Sequence, residues 1–529
     1  MENSSESNEI IEQRKNKFKD KISSWFKDPY TRVFILILIA AFVIRFLIFL
    51  KTMNQPLWYD GASYLATAKQ WGLGLNLLDI WYYRRGFLFP LICAFLFKLG
   101  FGETGIRFVA VLFSTGLVLV TYLLISEMFN KKISLYVSIG MVLSWTILFF
   151  TGRTLTEIPA AFFLLTATLF FWKGYVKNQG NKYIYLFGLF LALAALTRMQ
   201  SLMFAPAFLV YAFTKEKFKF VKNKQLWISI AIFALVLLPL LFLYWGHFGN
   251  PVTDIMAHYF GFGKQGIEQT AADQRSFSTM LDYFKNLPYI LSADKFPIIF
   301  ILFILGIFIF FSDLVLGFDK IFQNQELQKK LFILVWIVAS FLILGRITDY
   351  VEQRYVIPCL PFLFLIALSP IMTLENMSEK FIKSKKVAGF IIFVLVIFLF
   401  YSNYTFGNGL IDNKLTSYAE VKEAGLWLKQ NSNPQDIVIT ASMPQIQYYS
   451  ERSSYDFGVN ESDFEINRLE KLNPRFFILS VFESHPQWVL EYPQNHQDLL
   501  VPVQAYSQTI QGQQSPVLVI YEFNRSVSG

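Results

Sequence analysis

The stretch Gly86-Phe-Leu-Phe-Pro-Leu-Ile-Cys-Ala-Phe-Leu-Phe-Lys-Leu-Gly100 decides how this chain is threaded. It is apolar enough to enter a bilayer, but as a helix it extends only about 22 Å, against a hydrocarbon core of about 30 Å. Length does not settle the matter, because other apolar runs of the chain are equally short. Charge does. Lys131 and Lys132 come next, and a crossing at 86–100 would put them, and every later lysine cluster, on the side opposite the basic leader. Basic flanks are retained on the cytoplasmic side. The stretch therefore reads as an interfacial or re-entrant helix.

Upstream lies the first apolar run, 33–50, behind a leader at 1–32 that carries Arg14, Lys15, Lys17, Lys19, Lys21, Lys27 and Arg32 and has no cleavage site. Downstream, apolar runs follow at 107–127, 133–150, 159–173, 184–197, 200–213, 226–245, 297–315, 331–345, 355–373 and 387–402. Together these predict about eleven spans. Lysines at 131 and 132, 173 to 182, 215 to 224, 320 to 330 and 380 to 386 then all fall inside. The pair 184–197 and 200–213 reads as a helical hairpin with Arg198 at its outer tip. The outer face comprises loops at 51–106, 151–158, 246–296 and 346–354, and the segment after residue 402.

Residues 403–529 change character to mixed polar sequence with soluble-type periodicity. Helices are expected at 417–430, 462–471 and near Trp488, and strands at 437–440, 476–480, 499–503 and 517–521. The predicted fold class is a multi-pass α-helical membrane protein with a C-terminal extracytoplasmic α/β domain, its amino terminus cytoplasmic and its setting the cell membrane.

Composition agrees. Of 529 residues, 54% are hydrophobic and 16% charged, which excludes a water-soluble globular protein. The net charge of +9 reports topology, and no nucleic-acid motif accompanies it. Cys93 and Cys359 are isolated inside apolar runs, and His247, His258, His485 and His496 show no metal-ligand spacing. Phosphate-binding glycine loops and nucleophile elbows are absent from the sequence, so nucleotide chemistry has no support.

Three outer segments carry the chemistry. Trp58-Tyr-Asp-Gly-Ala-Ser-Tyr64 puts Asp60 just past the first span, between the substrate-lining candidates Tyr59 and Tyr64. A carboxylate at this depth is costly unless hydrated, paired or used, although Asp-Gly is also a common turn pair. Arg153-Thr-Leu-Thr-Glu-Ile-Pro159 supplies Glu157, with Arg153 beside it; a first-turn Glu favoured by the helix dipole is the plainer reading. Glu352-Gln-Arg-Tyr355 supplies Arg354 and Tyr355 before another long run, where an arginine can also simply close a helix end. With Arg84, Arg85 and Arg198, Arg354 makes a cationic set suited to bidentate phosphate binding.

Taken together, WYDGASYL (Asp60), RTLTEIPAAFF (Glu157) and EQRYVIPCLP (Arg354, Tyr355) resemble, in order and placement, the GT-C class of integral-membrane glycosyltransferases. The likeness is to the branch of protein O-mannosyltransferases and lipid A aminoarabinose transferases, and it covers roughly 33–402. Two departures stand out. The first outer loop has Tyr-Asp-Gly where members often carry Asp-Glu or Glu-Thr-Arg, and the tail lacks the WWDYG motif of oligosaccharyltransferases.

The resemblance implies a sugar donor on polyprenyl or dolichyl phosphate, reached from the lipid, and a lipid, glycan or protein acceptor from the aqueous side. It implies Asp60 as base, Glu157 as its catalytic partner, Arg354 on the donor phosphate with Arg84, Arg85 and Arg198 in reserve, and inversion at the anomeric carbon. No cofactor is required, although a divalent cation would be compatible. The competing expectation is a transporter or flippase of an amphipathic lipid or anion; Arg45, inside the first span, fits neither reading.

Overall fold

A computed structural model describes residues 27–81, 85–250, 277–292, 297–348, 350–382, 384–510 and 513–524. Arg84, His258, the leader up to residue 26 and most of the predicted loop 246–296 lie outside them. The chain forms two compact units. One is Met1–Ile48, Val111–Thr151 and Glu157–Gly409; the other is Phe49–Ala110, Gly152–Thr156 and Leu410–Gly529.

Apolar runs in hydrocarbon must satisfy their backbone internally, and they do so here as helices. Among the described residues eight helices are long and apolar enough to cross a membrane, including Pro29–Thr52, Glu103–Met128 and Lys385–Asn413; Lys131–Leu143 and Trp145–Thr151, bent by 52°, make a ninth if they are one span. The difference from about eleven lies in the pair at 184–197 and 200–213. These form a 17-residue helix, Asn181–Thr197, and a 12-residue helix, Ala205–Glu216, both under the length of a full span. Leu88–Lys98 has 11 residues, about 16 Å of helix, too little to cross.

Inside the first unit, Arg45 finds its explanation. It is fully buried, donating from Nε to Ser114 Oγ (2.8 Å) and from its two terminal nitrogens to the carbonyls of Ala41 (3.2 Å) and Met141 (3.0 Å). A charge in the bilayer is tolerated when its donors are all engaged. Glu375, 1% exposed, is held similarly by Lys132 Nζ (2.9 Å) and Tyr136 Oη (3.1 Å). Both networks pin helices.

In the second unit, a five-stranded sheet runs in the order β2-β1-β3-β5-β4, with β1 Val438–Thr440, β2 Ser454–Tyr455, β3 Phe476–Ser480, β4 Leu500–Ile510 and β5 Gln513–Phe523. β1 pairs parallel with β2 and β3; β5 pairs antiparallel with β3 and β4. Alternation on β3 sends Phe476 and Ile478 to one face, with Val421, Leu428 and Ile446, and Phe477 to the other, with Phe464, Val489 and Tyr492. Pro502 interrupts the register on the edge strand β4, where a missing N–H is tolerated. The expected α/β tail is therefore present; the helix Met443–Ser450 and the two-residue β2 are additions to it.

Candidate active site

In the first unit, Glu157 opens the helix Glu157–Phe171 and is only 4% exposed. At that end the free backbone N–H groups favour negative charge. Two arginines from different segments converge on one of its oxygens. Arg198, where the backbone turns extended after Asn181–Thr197, reaches Oε1 at 2.9 Å; Arg354, in the 3₁₀ turn Gln353–Cys359, reaches the same atom at 3.3 Å and Glu352 at 3.1 Å. Both guanidinium groups also lie over the Tyr355 ring, 4.5 and 5.3 Å from its centre. Glu157 Oε2 is buried without a hydrogen-bond partner among the described residues.

These groups line a small cavity of about 20 Å³ with Ser201, Phe204 and Pro358. Gln200 and Met203 belong both to this cavity and to an apolar one of about 410 Å³, lined by Met199, Pro206, Met280, Leu342 and Ile347. Arg346 sits at its wall. The charged cluster therefore stands at one end of the apolar cavity.

In the second unit, Asp60 lies in the first turn of the helix Tyr59–Leu73, so Asp60-Gly61 is helical rather than a turn. Gly61 is needed for close approach: a Cβ there would come 2.8 Å from Thr154 Oγ1. Arg107, 2% exposed, fixes both flanking segments by donating to the carbonyls of Gly152 (2.9 Å) and Gln55 (2.5 Å) and to Glu103. The Leu57 N–H donates to Tyr449 Oη at 2.8 Å.

Asp60 is 37% exposed and faces Arg85 at 3.4 Å; Arg85 also lies over Tyr64, 5.4 Å from the ring centre. Tyr64 is buried with its hydroxyl 3.4 Å from Thr156 Oγ1. Arg153 stacks on Trp58 at 3.5 Å. Tyr59 is half-open, and burial, opposed by Arg85, raises its hydroxyl above its ordinary range.

Sequence reasoning thus selected, from different loops, Glu157, Arg198, Arg354 and Tyr355, which the first unit brings together, and Asp60, Arg85, Tyr59 and Tyr64, which the second unit brings together. It passed over Glu352, although the quoted motif contains it. It also passed over Glu483, Gln445 and Tyr418 in the tail, for which no motif exists. Among the described residues the one group of three or more ligand-type side chains is Glu461, Glu465 and His496; neither Asp60 nor Glu157 belongs to such a group.

Residues 84–245 match the family model described as dolichyl-phosphate-mannose-protein mannosyltransferase. Against curated protein sequences the chain finds no significant match. Among solved structures it is similar to ArnT from Cupriavidus metallidurans in the apo state (12% identity, 93% of this chain and 98% of that one, TM-score 0.61). It is likewise similar to the same protein bound to undecaprenyl phosphate (12%, 92% and 97%, TM-score 0.60). The archaeal oligosaccharyltransferase AglB from Archaeoglobus fulgidus, in complex with an inhibitory peptide and a dolichol-phosphate, aligns at 15% identity over 93% of this chain and 74% of that one (TM-score 0.60). The chain shares the fold of these solved structures.

Proposed function

We propose that the chain is a membrane glycosyltransferase that moves a sugar from a polyprenyl- or dolichyl-phosphate donor to a hydroxyl acceptor, with inversion. One observation carries the reading: two arginines gathered on a buried carboxylate stand beside an apolar cavity large enough for prenyl units. Arg198 and Arg354 take the donor phosphate, and Glu157 holds them in place. The match to a mannosyltransferase family model and the undecaprenyl phosphate and dolichol-phosphate held by the structural relatives support the same donor class.

The bond changes are simple. The acceptor oxygen attacks the anomeric carbon from the face opposite the phosphate, and its proton passes to the Asp60 carboxylate. The bond between the anomeric carbon and the phosphate oxygen breaks, its electron pair leaves with the lipid phosphate, and the arginines stabilise that charge. Arg85 faces Asp60 at 3.4 Å. The reaction runs at the outer membrane face, with the amino terminus cytoplasmic, the C-terminal segment extracytoplasmic and the cell membrane as its site, a placement supported by the lysine clusters. The transporter reading gains nothing from these features.

The test is a transfer assay with the purified full chain and a panel of sugars on undecaprenyl and dolichyl phosphate. At least one should yield a glycosylated acceptor; transfer from none removes the reading.

A further inference from the structure

A second carboxyl of the Asp60 unit has no part in the steps above. Glu483, half-buried after β3, accepts a hydrogen bond from Gln445 Nε2 at 3.2 Å and another from the Tyr418 hydroxyl. It lies within the electrostatic reach of both Asp60 and Tyr59. Aromatic rings border these groups: Tyr418 is 6.3 Å from Trp58 and 5.6 Å from Phe482, centre to centre, and Tyr59 is exposed enough to meet a ligand. Carboxyls and an amide next to ring faces suit a sugar, whose hydroxyls take the hydrogen bonds and whose C–H face covers the rings.

We propose that Asp60, Glu483, Gln445 and Tyr418 form the acceptor subsite, and that the acceptor is a carbohydrate hydroxyl. This rests on the glycosyltransferase reading and narrows it. A Ser/Thr peptide offers a hydroxyl but no ring-sized apolar face for Tyr59 and Tyr418. Tyr418 remains a donor, its hydroxyl pushed up to about 12 by burial and by the Glu483 charge.

Burial first, and then the Asp60 charge, raise Glu483 above the usual carboxyl range, against the donors Gln445 and Tyr418. Among the described residues, Tyr59, Arg85 on Asp60, and Asp456 near Tyr59 are further ionisable groups of this cluster. In its protonated form Glu483 donates to a sugar oxygen, while Asp60 accepts from the reacting hydroxyl. Acceptor affinity therefore falls as pH rises through the Glu483 titration, and Glu483→Gln, which keeps donor and acceptor atoms at every pH, abolishes that fall.

The experiment is calorimetric titration of the purified full chain with cellotriose, α-mannotriose, chitotriose and a Ser/Thr-rich peptide, at several pH values, with undecaprenyl phosphate binding measured on the same preparations. Expected are binding of at least one trisaccharide, a loss of about tenfold or more in Glu483→Ala, and near-wild-type, pH-independent affinity in Glu483→Gln. A purely structural Glu483 would shift melting without changing the pH profile, and that outcome overturns the proposal. So does binding of the peptide but no trisaccharide, or unchanged affinity in Glu483→Ala. If Glu483→Ala fails to fold, the pH profile of Glu483→Gln decides alone. Absent lipid-phosphate binding in the wild type strikes the glycosyltransferase reading instead; intact lipid-phosphate binding without sugar binding strikes only the subsite.

Discussion

Arg198 and Arg354, far apart in the chain, place their guanidinium groups on the same atom, Oε1 of Glu157, at 2.9 and 3.3 Å. Glu352 also meets Arg354, at 3.1 Å, so two carboxylates face two guanidinium groups, and the cluster holds both arginines in fixed positions from which they can meet an anion. Its stability depends on the Glu157 carboxylate. Removing one member of a buried ion pair leaves an uncompensated charge and costs about 3–5 kcal/mol. Glu157→Ala should lower the melting temperature of the detergent-purified protein clearly, and an unchanged melting curve would show the arginines to be satisfied elsewhere.

Arg354→Ala should weaken undecaprenyl phosphate binding by about tenfold or more, the scale of a hydrogen bond to a charged group. Arg354→Lys should recover only part of it, because an ammonium lacks the planar fork. Acceptor KM should not move. An effect confined to the acceptor would remove Arg354 from the phosphate.

The apolar cavity makes a separate prediction about chain length. Met203 and Met280 line it, and Met280→Trp should narrow this cavity of about 410 Å³. The variant should lose long-chain donors while still using a short prenyl phosphate sugar. Equal loss of both would mean that the cavity does not hold the lipid.

Lys69 and Lys429 clamp Glu451 at 2.6 and 2.8 Å. Burial alone would raise this carboxyl, but the hydrogen bonds from Lys429 and Lys69 prevail and hold it below its ordinary 4.5. A depressed folded pKa contributes stability that is present above the unfolded value and is lost as pH falls through the folded one. Melting temperature should therefore drop as pH is lowered below about 4.5, and Glu451→Gln should be less sensitive in that window. Parallel pH dependence in both proteins would assign the acid loss to other groups.

The helical membrane architecture was legible because hydrocarbon imposes one rule on every run, and the α/β tail because alternation on stretches such as 476–480 is strong. Arg45 looked anomalous in sequence since its partners, Ser114 Oγ and the Ala41 and Met141 carbonyls, carry no charge signal. The stacking of Arg153 on Trp58 was not legible either, because sequence spacing does not fix side-chain direction in a loop. Glu483 was invisible for another reason: its role depends on Tyr418 and Gln445, and no local spacing records that neighbourhood.

The most direct test of the account is a single-turnover comparison of wild type and Asp60→Asn with one accepted lipid-phosphate sugar, the product's anomeric configuration read by NMR. The account predicts an inverted linkage in the wild type and a rate about 10²–10⁴-fold lower in Asp60→Asn with donor binding intact. A retained configuration, or a variant as fast as the wild type, would contradict it.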